Sequence, residues 1–242
     1  MRLTRFISRM TNVRPAQLLG VRPIASITFD DFPKSAWDMG GRILAKHKAR
    51  GTYYTAGTFC GRSERGIAYY DEGDLRALVD AGHEIACHGF GHDKTPLLSD
   101  VQLAEERARN EKFLAPFLNG GKPQSYAYPH GATSVRTKKF QAAHFSNLRG
   151  VHPGINQGTV DLSQLNAVSM EMRSFTKENL SAAIQGAMAA NGWISFYTHD
   201  VSDSPSEYGS TPAILEEVLG ALANANIAIL PMREAVAVAL GA

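Results

Sequence analysis

The chain has 242 residues, 44% of them hydrophobic and 20% charged, with a formal net charge of +2. This is an ordinary globular composition, long enough for one large domain of the α/β-barrel kind and too rich in apolar residues for a disordered chain. The charge is too evenly spread to supply the basic stripe that nucleic acid demands, so nucleic acid is excluded as the expected partner.

Taken in chain order, the first 22 residues are one-sided. Arg2, Arg5, Arg9, Arg14 and Arg22 occur there with no acidic residue, while Leu3, Phe6, Ile7 and Met10 recur at helical spacing on another face. A short basic amphipathic segment is therefore expected over 1–22, ahead of a single domain over 23–242. It lacks the apolar core of a secretory signal, and no later stretch approaches the roughly 20 apolar residues of a membrane span, so a cytoplasmic protein is expected. Packing against the body of the domain is the favoured fate of this helix, and peripheral membrane contact is the alternative.

Short apolar runs then recur: IASITF (24–29), TYYTA (52–56), HEIACH (83–88), SYAY (125–128), NLRGV (147–151), NAVSM (166–170), WISFYT (193–198) and IAIL (227–230). Between them lie helix signals. Ser99 and Gln102 form a capping box, and Thr176 caps KENLSAAIQGAMAAN, whose end Gly192 marks. Other helices are expected over 35–49, 71–81, 134–144, 213–225 and 232–240. Seven or eight strands alternating with helices predict a parallel sheet, as an α/β barrel or an open doubly wound sheet. In either, chemistry belongs at the carboxyl ends of the strands.

Polar residues gather at those ends. Asp30 and Asp31 follow the first run, His88 and His92 close and follow the third, Pro129 and His130 follow the fourth, and His199 and Asp200 follow the seventh. In HGFGH, Gly89 and Gly91 favour a tight loop that lets the two imidazoles converge. Joined by a carboxylate from another strand they make a His, His, Asp set, a suitable open site for zinc. Two adjacent carboxylates in apolar surroundings need a cation to offset their repulsion. With a metal present, one ligates while the other accepts a proton from water.

The two cysteines, Cys60 and Cys87, have no metal spacing to each other. Cys87 is expected as a small buried hydrophobe, His83 as a structural histidine, His152 as a loop residue and DVSDSPSEYGSTP (200–212) as a loop walling the cleft.

TFDD, HGFGH, YAYPHG and FYTHD, in this order from about residue 24 to 201, resemble the motifs of the polysaccharide deacetylases of carbohydrate esterase family 4, the NodB-like homology domain. The resemblance implies a distorted (β/α) barrel that hydrolyses acetyl groups, usually from N-acetylated sugars and alternatively from O-acetylated ones. It implies Asp30 as general base, Asp31, His88 and His92 as ligands of a divalent metal, most often zinc, and His199 as general acid. The peptide N–H of His130 corresponds to the oxyanion donor, and Pro129 and Tyr128 to substrate-binding positions. Related barrels that hydrolyse small non-sugar amides or cyclic ureides are the rival reading, and a carbohydrate-binding homologue without turnover is a third.

The chain departs from the family pattern in four places. Gly89 stands where Ser or Thr commonly holds the histidine loop, and Ala127 stands where an arginine commonly orients the base. Arg149 and Arg173 are the candidates to replace that arginine. His130 replaces the usual tyrosine before the glycine of the third motif. The segment 161–173 lacks the fourth motif's Asp and Trp pattern, leaving Asp200 or Asp161 to tune His199.

Overall fold

A computed structural model describes residues 2–20 and 22–241. Eight strands carry the fold: β1 (Ile24–Phe29), β2 (Thr52–Thr55), β3 (Glu84–Cys87), β4 (Ser125–Ala127), β5 (Asn147–Pro153), β6 (Leu165–Ser169), β7 (Trp193–Thr198) and β8 (Ala228–Ile229). Each coincides with one of the apolar runs. Strands β1, β2, β3, β4 and β7 are buried at every residue rather than at alternate ones, because both faces are covered, as parallel sheets require.

Strands β1 to β7 pair in parallel in chain order, and β7 returns to β1 along six residues, from Trp193 opposite Ile24 to Thr198 opposite Phe29. The barrel is therefore closed by seven strands. Strand β8 is not a full stave. It pairs with Ile24 and Ala25 at the start of β1, while β2 pairs with Thr28 and Phe29 at its end, so the two strands share one edge. Between β5 and β6 the register slips, with Leu165 opposite Arg149 but Ala167 opposite Pro153. Both features distort the cylinder.

Helices α1 (Arg2–Met10), α2 (Arg42–Lys46), α3 (Glu72–Asp80), α4 (Asp100–Leu114), α5 (Val135–Ala142), α6 (Lys177–Ala190), α7 (Pro212–Asn224) and α8 (Met232–Leu240) accompany the strands. The capping box of Ser99 and Gln102 forms as its sequence predicts, and Thr176 caps α6. The left-handed residue that ends α6 is Asn191, one position before the expected Gly192. The helix expected over 35–49 starts as a wide turn, Ala36–Gly41, before α2.

Ala25, Ile27 and Phe29 face the helices in the main core with Leu44, Leu215 and Val218. Ile24, Tyr54, Ala127, Leu165 and Trp193 form a second cluster. By the period of two, Ser26, Thr28 and Asp30 share the other side of β1.

Helix α1 lies beside α5. After it, Pro15–Gln17 pairs antiparallel with Thr159–Asp161. Beneath the segment, the buried Lys138 ammonium lies 2.6 Å from Asp161 and donates to the carbonyls of Ser8 and Thr11. Asp161 accepts from the N–H groups of Val13 and Arg14. The side chains of Arg2 and Leu3, named in the expected amphipathic pattern, lie outside the described residues. Among the described residues no helix is long and apolar enough to cross a membrane.

Candidate active site

The adjacent carboxylates of Asp30 and Asp31 diverge because of one backbone torsion. Asp30 continues the β1 alternation inward, its N–H bonded to the Thr198 carbonyl of β7. Asp31 would face the opposite side, but its φ of +61°, followed by +53° at Phe32, swings the chain over. Its carboxylate thus reaches the mouth of the barrel, where His88 and His92 approach Asp31 Oδ1 with their Nε2 atoms at 3.2 and 3.0 Å. His92 (φ +59°) and His130 (φ +57°) are also left-handed. For residues other than glycine this costs energy, and such strain collects where side chains must be aimed.

The ligand atoms of Asp31, His88 and His92 all lie within 4.8 Å of one another. Nδ1–H of His88 donates to the Ala127 carbonyl at 2.8 Å, which leaves its Nε2 as a lone pair. Asp31 Oδ1 is buried and has no hydrogen-bond donor despite the two close nitrogens. A carboxylate oxygen and imidazole lone pairs aimed at one point repel unless a cation stands between them, so the donor set fits a divalent metal. Burial pushes the Asp31 carboxyl up, but the close His88 and His92 rings, with His199 nearby, outweigh this and hold it well below the usual carboxylate range.

Two absences in the sequence pattern are made good, one by an unexpected residue and one by an expected candidate. Glu106 of α4 accepts the N–H groups of Phe90 and Gly91, at 3.1 and 2.5 Å, and so holds the HGFGH loop that lacks a Ser or Thr. Gly89, at φ +72°, supplies the turn. The arginine missing at Ala127 is replaced by Arg149 of β5, whose guanidinium pairs with Asp30 Oδ1. Arg149 is fully buried between the rings of Tyr54 and Tyr197, about 5.0 and 5.1 Å from its carbon. Burial pushes the Asp30 carboxyl up, yet Arg149, with lesser help from His88 and His199, brings it below its ordinary value. Arg173 does not take this place and pairs with Glu171.

His199 presents Nε2 at 3.9 Å from Asp31 Oδ2. Its Nδ1–H donates to the Tyr208 carbonyl at 3.2 Å. The carboxylate nearest that ring nitrogen is Glu171 Oε1 at 3.6 Å, a charge contact rather than a hydrogen bond. Neither expected partner reaches it. Asp200 accepts from the N–H and hydroxyl of Ser206, and Asp161 is committed to Lys138. Glu171 was missed although its position carried a signal: an acid just beyond the predicted strand over 166–170, at the end where the site lies.

The third-motif loop turns at His130. Gly131 and Ala132 N–H groups return to Tyr128 and Pro129, whereas the His130 N–H has no acceptor among the described residues. The imidazole of His130 donates to the His92 carbonyl, tying the two loops together. Pro129 is buried. Tyr128 is not brought to the cleft, because its ring is 2% exposed and its hydroxyl donates to the Ser163 carbonyl.

The bland readings are bland here too. His83 is buried, accepts the Gly51 N–H, and is pushed down to about 4, so it stays neutral. Burial pushes the Cys87 thiol up to about 11, away from nucleophilic use.

The family model for polysaccharide deacetylase matches residues 21–148. This chain belongs to the polysaccharide deacetylase family. The family match ends before Arg149, Glu171 and His199, so those residues are known from this deacetylase fold alone. A curated relative, a chitin deacetylase of Arthroderma benhamiae, is 28% identical over 120 residues. The match covers 48% of this chain and 30% of that protein. Among solved structures, a family 4 acetyl xylan esterase from Clostridium thermocellum, in complex with a cobalt ion, aligns with a TM-score of 0.61 at 18% identity. That alignment covers 87% of this chain and 89% of the other. Peptidoglycan deacetylase PdaC from Bacillus subtilis aligns with a TM-score of 0.57 at 13% identity, over 90% and 92% of the chains. At these identities the structural likeness speaks for the shared barrel, a distorted (β/α) fold, as the motifs imply.

Proposed function

We propose that this deacetylase removes acetyl groups from an N-acetylated saccharide with a divalent metal, zinc by preference, held by Asp31, His88 and His92. The observation that carries the reading is the buried, donorless Asp31 Oδ1 facing two imidazole nitrogens, beside a second carboxylate already neutralised by Arg149. The bound cation would lower the pKa of water and polarise the acetyl carbonyl.

The chain's own groups do the rest. Asp30, kept ionised and aimed by Arg149, takes a proton from the attacking water. The His130 N–H donates to the carbonyl oxygen as it gains charge. His199, oriented at Nδ1 by the Tyr208 carbonyl with Glu171 beside it, delivers a proton from Nε2 to the departing nitrogen. Water adds to the carbonyl carbon, the carbon–nitrogen bond breaks, and acetate and a free amine leave. Pro129 and Tyr128 serve in this reading by fixing the His130 loop. Residues 23–242 form the catalytic unit, and 1–22 stand outside it.

A saccharide substrate is supported by family membership and by the chitin deacetylase relative. The groups can be reached from solvent, since the side chains of Asp31 and His92 are each 15% exposed and that of His199 21%. The test is acetate release from chitin oligomers and peptidoglycan fragments, before and after chelation and zinc restoration, with elemental analysis of the protein. Asp31→Ala should lose metal and turnover together, and Asp30→Asn should keep metal and lose turnover. Full turnover by Asp30→Asn would remove the base, and no acetate from any N-acetylated sugar by metal-loaded protein would remove the reaction.

A further inference from the structure

Helix α1 turns its polar side to the protein and its apolar side to solvent. Ser8 is fully buried, with its hydroxyl on Gln164 and its carbonyl on Lys138. Phe6, Ile7 and Met10 are 58%, 49% and 68% exposed. At about 100° per residue these three share an arc of roughly 100° whose centre lies some 150° from Ser8. An amphipathic helix that packs on its own domain buries that arc. Isolated exposed apolar residues are common, but a contiguous set on one helix marks an interaction surface.

The charges beside that arc say what covers it. Arg5 and Arg9 flank it on the side towards Ser8, both exposed and without a carboxylate partner among the described residues. No acid occurs anywhere in residues 1–22. An apolar stripe with cations along one border, the neutral Thr4 on the other and no acid on either complements a bilayer with anionic headgroups, where the stripe enters the acyl boundary and the arginines meet phosphates. A second copy is a poorer fit, since a twofold contact through this face would set arginines against arginines with no acid to answer them.

We propose that α1 is an interfacial helix that docks the protein on an anionic membrane surface through Phe6, Ile7 and Met10, with Arg9 at the headgroups. The proposal is independent of the hydrolytic reading. It has a consequence for the site, because Arg5 donates to the His130 carbonyl at 2.7 Å, so α1 adjoins the third-motif loop. Docking through α1 would hold the mouth of the barrel close to the membrane, where the accessible saccharide is one carried at the bilayer surface.

The experiment is co-sedimentation of the full chain with vesicles of phosphatidylcholine containing about one-third phosphatidylglycerol, against vesicles of phosphatidylcholine alone. Binding is expected to the first, with release at high salt. Arg9→Gln should weaken it about fivefold, and the combined Phe6→Ser, Ile7→Ser and Met10→Ser variant should abolish it with circular dichroism unchanged. Phe6→Trp should gain fluorescence quenching by brominated acyl chains over the parent protein. Wild-type protein that stays in the supernatant with anionic vesicles overturns the proposal, as does a triple variant that binds like wild type. So does a dimer in sedimentation velocity that the triple variant dissolves, which would give the face to a second copy.

Discussion

Arg149→Met isolates the charge logic of the barrel interior. The substitution keeps an unbranched side chain of similar length but removes the guanidinium paired with Asp30, in a place where the two side chains are 1% and 6% exposed. Breaking a buried ion pair from one side costs about 3–5 kcal/mol, because the remaining charge stays desolvated. The pH dependence should also change sign. In the wild type the folded Asp30 pKa lies below its unfolded value of about 3.9, so Asp30 adds stability above that pH and loses it as pH falls through the lower folded value. Without Arg149, burial is left as the leading influence, the folded pKa rises above the unfolded one, and Asp30 now removes stability as pH climbs past about 4.

Urea unfolding of chelator-treated protein across a pH series reads this directly. The double variant Asp30→Asn with Arg149→Met leaves no charge at this pair and should recover most of the loss, giving a coupling energy of the same order. Turnover at neutral pH should fall by about two to four decades, since the base is protonated or misaimed. An Arg149→Met protein within about 1 kcal/mol of wild type at neutral pH, with the same slope against pH, would refute the assigned pairing.

Two further outcomes follow from neighbouring contacts. Glu171→Gln keeps the shape beside His199 and removes its charge, so acetamide substrates should slow about tenfold or more while activated acetate esters, which need little leaving-group protonation, stay near wild type. Equal slowing of both in kcat measurements would exclude a role through His199. Lys138→Met strands the buried Asp161 and leaves the Ser8 and Thr11 carbonyls without their donor, so a loss of about 3–5 kcal/mol and earlier proteolysis ahead of residue 15 are expected. Burial pushes the Asp161 carboxyl up, but Lys138, Ser163 and Arg14 hold it below the ordinary range. Its contribution is therefore present above about pH 3.9 and lost as pH falls through the lower folded value. Hydrogen exchange at Val13 and Arg14 should speed up in that acid window, and unchanged protection there would disprove the anchoring.

The positions of the strands were legible because a strand covered on both faces leaves a plain apolar run, and β1 to β8 each coincide with one. The strand ends were legible for the same reason, so the apolar runs alone set Asp30, Asp31, His88, His92, His130 and His199 at one rim. Side-chain direction at those ends was a different matter. Asp30–Asp31 and His199–Asp200 are the same pattern, two adjacent polar residues directly after an apolar strand. Neighbours on extended chain point to opposite sides, and that is what His199 and Asp200 do, the second turning away to Ser206. Asp30 and Asp31 escape the rule only because Asp31 and Phe32 adopt positive φ, and neither is a glycine that would announce it. The sequence left Asp200 or Asp161 as the partner of His199, and the acid that comes nearest is Glu171, which follows the neighbouring strand β6. Arg149 was named as a candidate, but the choice between it and Arg173 stayed open for a related reason. A charged residue inside an apolar run must find a buried partner, but the slip between β5 and β6 removes the period that would tell which face it takes. What local sequence cannot carry here is thus narrow: the sign of a few backbone torsions and one register shift, which together decide which of several nearby carboxylates meets which cation.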